Sequence, residues 1–290
     1  MTLRFRAAAA TDVGKVRDHN EDGYLVDDTL GLVAVADGMG GHNAGEVASA
    51  AALEALRVAF GAGATIAEAV SAANEIVYEQ SVADRSLRGM GTTLTAGALG
   101  IDGKLLLGHV GDSRAYLVRD GSLERITTDH SLVEELIQSG ALTEEEAERD
   151  PRRSQITRAL GLEPGVDIDM ESVDLRAGDR LLLCSDGLTT MVSEDEIASF
   201  MSDERDPHTA ARKMVEAANE AGGADNITVV VIDIEDSENE DTPPPQGSET
   251  DDSTEAGDGT VADVPAATDE SSDDEAKSRR GLGRLFGRGK

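Results

Sequence analysis

Four aspartates share one local context, an apolar strand-forming run that meets Asp beside a small or polar residue. Gly31–Ala36 runs into Asp37-Gly38, Leu105–Val110 reaches Asp112 through Gly111, and Arg180–Ser185 runs into Asp186-Gly187. The fourth is reversed: Ala224-Asp225-Asn226 leads into the run Ile227–Ile234. A strand end holds a carboxylate rigidly, and a neighbouring glycine lets a carbonyl or a ligand approach. If these ends converge, several negative charges meet, which is unstable unless cations fill the site. Oxygen-only donors select hard ions such as Mg²⁺ or Mn²⁺. Each Asp-Gly taken singly reads equally well as a turn; four on apolar strand ends weaken that reading. The segment Arg17-Asp-His-Asn20-Glu21-Asp22 adds another acidic pair and a guanidinium whose planar fork suits phosphate oxygens. Carboxylates, divalent ions and one arginine together point to phosphoryl chemistry.

The elements that must position these groups are legible in outline. Strand-like runs occupy 31–36, 92–99, 104–109, 115–118, 166–173, 180–184 and 227–234. Helix-like runs occupy 44–60, 64–83, 131–139, 143–147, 194–200 and 207–221, the first two long and Ala-rich. Ser193 with Glu196 fits a capping box. Asp102-Gly103 and Asp120-Gly121 fit hairpin turns between strands. The order lacks the regular strand–helix alternation of a parallel sheet. An α+β fold is expected, with antiparallel sheets at the centre and helices outside.

Composition bounds the function. The chain has 290 residues with 26 Lys+Arg against 58 Asp+Glu, a formal net charge of −32. That argues strongly against a nucleic-acid binder, which needs a basic face to meet phosphates, and disfavours adhesion to anionic membranes. A single cysteine, Cys184, excludes an internal disulfide framework. No secretory signal is read in the opening residues, and no 18-residue apolar stretch lacks charges, so no transmembrane span and a cytoplasmic location are expected. After Ile234 the hydrophobic period stops and Pro, Ser, Thr, Gly, Asp and Glu dominate. Residues 1–234 are therefore read as the folded domain and 235–290 as a disordered acidic tail with a basic C-terminal end. That end, with Lys277, Arg279, Arg280, Arg284, Arg288 and Lys290 around Leu282, Leu285 and Phe286, reads either as a docking element or as a solvated terminus.

With these residues in place, the sequence resembles the metal-dependent serine/threonine protein phosphatases of the protein phosphatase 2C family, in the compact bacterial form. The motifs that carry the resemblance are TDVGKVRDHNED (11–22), VAVADGMGGHNAGEVAS (33–49), GTTLTAGAL (91–99), HVGDSRAYLVRDG (109–121), TTDHSL (127–132), LLLCSDGLTTMVS (181–193) and GGADNITVVVI (222–232). They follow the family's order and cover essentially all of residues 3–234. The resemblance implies a four-layer αββα sandwich, two antiparallel sheets flanked by helices, with two Mn²⁺ or Mg²⁺ ions at one end. It implies that Asp37 bridges both ions, that the Gly38 carbonyl ligates one, and that Asp186 and Asp225 complete the site. Asp22, and Glu21 through water, belong beside them; Asp112 matches the acid of a third, weaker ion, and Arg17 the phosphate-binding arginine. Asn226 and Thr228 match residues that position the last loop and strand. Two ions about 3.5–4 Å apart can share a water and lower its pKa, so that hydroxide attacks phosphorus near neutral pH, with Arg17 and the ions stabilising the equatorial charge. Cys184, in an apolar strand, reads as buried core rather than as a nucleophile.

In animal relatives a histidine directly follows the Asp-Gly pair, where this chain has Met39; His42 lies three residues on. His42 could protonate the leaving alkoxide or could only organise its loop. His130 reads as a structural residue beside the variable flap, matched by residues 140–165, where substrate choice is expected. Arg152 and Arg153 there either recruit phosphopeptides or pair with Glu144–Glu148. The expected function is dephosphorylation of phosphoserine and phosphothreonine in proteins, reversing bacterial Ser/Thr kinases, by a monomer. The alternative is a non-catalytic regulatory protein on the same fold; a lost ligand would be its signature, and Asp37, Asp186 and Asp225 are all present.

Residues 1–234 carry a net charge of −22 without the tail, and the chain has 5 Lys against 21 Arg. Adaptation to high salt and a merely acidic surface both fit. Self-repulsion weakens as the Debye length falls from about 10 Å at 0.1 M to about 3 Å at 1 M salt. A salt-adapted domain, saturated with Mn²⁺, melts higher in about 2 M than in about 0.1 M KCl and keeps its activity there. A melt that does not rise, with activity collapsing, assigns the acidity to another cause.

Overall fold

The computed structural model describes residues 3–41, 44–100 and 103–236. Strands β1 (Leu3–Asp12), β2 (Asp22–Asp27) and β3 (Leu32–Met39) come first, followed by helices α1 (Ala44–Gly61) and α2 (Ile66–Ala83). Five strands follow: β4 (Gly91–Thr92), β5 (Leu94–Leu99), β6 (Lys104–Val110), β7 (Arg114–Arg119) and β8 (Ser122–Arg125). Short helices α3 (Leu132–Gln138) and α4 (Glu144–Glu148) begin the flap, which returns to β9 (Asp169–Asp174) and β10 (Arg180–Cys184). Helices α5 (Asp186–Thr189), α6 (Glu194–Asp203) and α7 (Pro207–Glu220) precede β11 (Ile227–Asp236).

The strands form two antiparallel sheets, β1-β11-β10-β7-β8 and β2-β3-β5-β6-β9, with β4 paired to the end of β3. Three apolar layers show the stacking. Val33, Val35, Leu107, Leu117, Leu183 and Val230 interdigitate between the sheets. The opposite face of β3 and β5 packs on α1 and α2, and the opposite face of β10 and β11 packs on α5, α6 and α7. This is the expected αββα sandwich. Covering both faces of the central strands explains why β3 and β11 read as unbroken apolar runs instead of alternating ones. The alanines of α1 serve the same layering: Ala44, Ala48 and Ala52 are spaced four apart and buried, so the helix lies close to its sheet.

Local chemistry sets several boundaries. Thr65 opens α2 and Ser193 opens α6 with complete capping boxes, the latter as the sequence predicts. Asp120 and Gly121 both take positive φ, 53° and 80°, as a two-residue hairpin between β7 and β8 requires. Asp102 of the other predicted turn lies outside the described residues. The structure also adds elements that the pattern does not announce. β1 contains four consecutive alanines and yet pairs with β11 along ten residues, because β11 offers a full ladder and the sheet supplies the burial. β2 is short and carries an aspartate at each end. β8 falls outside the strand-like runs of the sequence as well, and β9 begins at Asp169 instead of Val166.

β11 continues to Asp236, two residues past the boundary read from composition, and the Glu235 carboxylate meets Arg4 of β1 at 2.9 Å. The tail beyond, including the basic stretch 277–290, lies outside the described residues. A chain ending at Asp236 is expected to melt within about 2 °C of the full chain, under about 1 kcal/mol for a domain of this size. A chain ending at Asn226 loses the strand between β1 and β10 and is expected to show no cooperative melt by circular dichroism.

Candidate functional site

The strand ends singled out in the sequence meet at one edge of the sandwich. Asp22 opens β2 directly opposite Asp37 near the end of β3. β6 and β10 finish at the same edge and release Asp112 and Asp186, while Asp225 closely precedes β11. Gly38 is needed for this convergence: a Cβ there would stand 2.1 Å from the Gly45 carbonyl oxygen and 2.6 Å from that of Glu21. Gly187 is equally constrained, since its Cβ would stand 1.9 Å from the Asn226 carbonyl oxygen.

Hydroxyl and amide side chains fix the carboxylates. The Asp37 amide donates to Thr93 Oγ1 at 2.9 Å, and the Asp37 carbonyl accepts from the Thr92 hydroxyl at 2.9 Å and the Thr93 amide at 2.8 Å. The Ser185 hydroxyl donates to Asp22 Oδ2 at 2.7 Å and accepts from the Thr228 amide at 2.9 Å, joining the two sheets at the site. Asn226 ties down the β1–β2 loop: its Oδ1 accepts from the Glu21 amide at 2.8 Å, and its Nδ2 donates to the carbonyls of Val13 and His19, both at 2.9 Å. That loop carries Arg17, whose guanidinium donates to Asp225 Oδ2 at 2.7 Å. Roughly half of the Arg17 side chain stays open to solvent, so it can still meet a ligand.

The carboxyl groups bear the electrostatic cost of this arrangement. Burial, followed by the nearby carboxylates, pushes Asp22 up to about 7 and Asp112 up to about 8. Burial and then Asp225 push Asp186 up to about 6. Asp37 is held well above the ordinary carboxylate range by burial and by Asp22, Asp186, Asp112 and Asp225. These couplings show that the five aspartates share one field. Glu21 is raised mainly by burial, against a hydrogen bond from the Gly45 amide at the start of α1. Among the described residues no three acidic, imidazole or thiol side chains stand as a finished ion cage. The donor set nonetheless suits a hard cation. It is all oxygen, its charges need compensation, and three of its buried oxygens, Glu21 Oε1, Asp22 Oδ1 and Asp186 Oδ1, have no hydrogen-bond partner.

Arg17, Asp22, Asp37, Gly38, Asp112, Asp186 and Asp225 are thus brought together, while His42 lies outside the described residues. Asn226 and Thr228 hold the loop and strand as the resemblance implies. Cys184 is fully covered, and burial pushes its thiol up to about 12, in keeping with a core residue. Arg152 pairs with Asp150 at 2.8 Å. Sequence reading missed Thr93 and Ser185, which hold the aspartates. Their signal is a hydroxyl residue at a strand end beside Asp or Gly, common enough in turns that only the partner across the sandwich gives it meaning.

The raised carboxyl values have a signed consequence. Asp22, Asp112 and Asp186 hold protons more tightly folded than at their ordinary value of 3.8. Their contribution to stability is therefore present below pH about 4 and lost as pH rises through about 6 to 8. Thermal melts of chelated protein are expected to fall across that window. Saturating Mn²⁺ is expected to flatten or reverse the slope, because a cation favours the ionised form.

A family model described as protein phosphatase 2C matches residues 15–222. The chain is 39% identical over 236 residues to the serine/threonine phosphatase stp of Listeria welshimeri, covering 77% of this chain and 93% of that one. It is 45% identical over 245 residues to the serine/threonine protein phosphatase PstP of Mycobacterium tuberculosis, covering 81% of this chain and 46% of that longer protein. A crystal structure of a PstP catalytic domain in complex with two manganese ions superposes with a TM-score of 0.74 at 41% identity, covering 81% of this chain and 100% of that one. The chain belongs to the protein phosphatase 2C family of serine/threonine phosphatases.

Proposed function

We propose that this protein hydrolyses phosphoserine and phosphothreonine in other proteins, including Ser/Thr kinases, with divalent cations held by Asp37, Asp186 and Asp225, aided by Asp22 and the Gly38 carbonyl. Asp112 is assigned to a third, weaker ion, and Mn²⁺ and Mg²⁺ are the candidate metals. The observation that carries this reading is the set of mutually repelling, all-oxygen side chains with partnerless buried oxygens beside a half-open arginine. A purely binding protein on this fold has no need of so costly a cluster, and none of its members is replaced.

Bound divalent ions supply Lewis acidity and a water acidic enough to ionise near neutral pH. The chain's residues do the rest. Arg17 presents its fork to the phosphate and is aimed by Asp225 from one side. Asp37 is fixed through its backbone, and its carboxyl lies in the field of Asp22, Asp186, Asp112 and Asp225. Ser185 occupies one Asp22 oxygen and leaves the other turned inward. His42 is the candidate proton donor to the leaving oxygen. A monomer is sufficient for all of these roles.

Phosphate release from a phosphothreonine peptide is expected to require Mn²⁺ or Mg²⁺ and to stop on chelation; full activity after exhaustive chelation contradicts the reading. Asp37→Asn is expected to abolish binding of the two core ions by calorimetry, whereas Asp112→Asn leaves them bound and removes only a weaker site. Arg17→Ala is expected to lower kcat/KM by about 10²-fold or more, as loss of a charged hydrogen bond to the transition state does, without changing calorimetric metal binding.

A further inference from the structure

His130 lies outside the proposed catalytic set, yet it touches three parts of the molecule at once. Its backbone amide donates to the Gly111 carbonyl at 2.8 Å, and its ring Nδ1 accepts from the Gly111 amide at 2.9 Å. Gly111 is thereby clamped from two sides, directly before Asp112. The same histidine reaches the returning leg of the flap: its carbonyl accepts from the Thr157 amide at 2.8 Å, and Arg158 Nη1 stands 2.8 Å from its Nε2. With Nδ1 acting as acceptor, Nε2 carries the proton of the neutral ring and faces Asp169 Oδ2 at 3.1 Å. Arg158 donates to the other oxygen of that carboxylate at 2.7 Å. Imidazole, guanidinium and carboxylate thus form one cluster where the flap rejoins β9. The ring of His109 lies 4.8 Å from that of His130.

The far side of the clamp continues to the catalytic end. Gly111 has φ +114°, and a Cβ there would stand 2.5 Å from Thr93, so the turn lies directly against Thr93. Ser113, one residue past Asp112, shares a 2.8 Å hydroxyl contact with Thr93, which accepts the Asp37 amide. With Nε2 protonated, Arg158 and the His130 ring are both donors and are joined through the Asp169 carboxylate, so an unbroken chain of packed and hydrogen-bonded groups runs from Arg158 on the flap through Asp169, His130 and the 111–113 turn to Asp37. Two residues further along the same leg, Leu160 pairs with Thr92, so the returning leg is tied to the site at two neighbouring points.

We propose that His130 is a positioning residue that couples the flap to the Asp112 turn, so that a phosphopeptide engaging the flap changes how Asp112 is presented to the site. The kinetic consequence rests on the proposed role of Asp112; the coupling itself does not, and it can be read without activity. Asparagine can place its Oδ1 where the ring Nδ1 accepts the Gly111 amide, yet it lacks the Nε2 arm. His130→Asn therefore keeps the clamp and cuts the link to Arg158 and Asp169.

The test is amide hydrogen exchange at Gly111, followed by NMR in the full chain, with Leu117 in the core as an internal reference. Arg158→Ala is expected to accelerate Gly111 exchange roughly 2- to 10-fold while leaving Leu117 unchanged, the size of coupling found within one hydrogen-bond network. In the His130→Asn background the same substitution is expected to add nothing. Equal acceleration by Arg158→Ala in both backgrounds, or acceleration at Leu117 as well as Gly111, overturns the proposal. If His130→Asn does not fold, Arg158→Ala and Asp169→Asn still decide it, because both act at the exposed end of the cluster: each must loosen Gly111, and no change in either overturns the coupling. If the coupling is found and phosphatase activity is absent, it is the catalytic reading that fails.

Discussion

Mutual repulsion among carboxylates is the constraint around which this molecule is arranged. Burial drives the ionisation of Asp22, Asp37, Asp112 and Asp186 upward, and neighbouring carboxylates, Asp186 and Asp225 foremost, raise it further. Such a cluster persists only where a stiff scaffold prevents it from relaxing. The β-sandwich provides that scaffold. Its central strands are covered on both faces, so the strand ends that carry the aspartates are anchored by the three apolar layers behind them.

The local fixings are backbone-directed. Thr92 and Thr93 bond the main chain at Asp37, Ser185 bonds the main chain of Thr228, and Asn226 holds three backbone groups of the β1–β2 loop. This leaves the carboxylate oxygens comparatively uncommitted, as a cation site requires, while the chain that presents them is fully bonded. The exceptions are Asp22, one of whose oxygens accepts from Ser185, and Asp225, whose oxygens accept from Arg17 and from the Asn226 amide. Glycine acts in the complementary way. At Gly38, Gly45 and Gly187 neighbouring atoms approach within distances that any side chain would forbid.

The periphery follows a different logic. The flap is tied down by Thr92–Leu160 and Ser131–Ile156 bridges and by the His130 cluster, but its own helices are short and richly acidic. Its surface pairs, Arg149 with Glu145 and Arg152 with Asp150, contribute little stability because solvent reaches them. A stiff strand-end cluster thus stands beside a flap that is held by a few tertiary ties and not by its own surface pairs.

The sequence by itself determined the residue types of the site and the order of most elements. Apolar runs ending in Asp37, Asp112 and Asp186, and the run that begins after Asp225, are local patterns, and local patterns survive in one dimension. The Asp120-Gly121 turn and the Ser193 capping box are legible for the same reason, since each depends on residues a few positions apart. Composition placed a boundary at Ile234, and β11 runs two residues past it, to Asp236. Only the tertiary structure decided that β1, with its run of alanines, is a strand, because its ladder is supplied by β11, more than two hundred positions away. Only the fold placed Asp22 opposite Asp37, turned Ser185 toward Asp22 and brought His130 against Gly111. Those relations depend on register and on the packing of one sheet over the other, and neither is written in the spacing of residues along the chain.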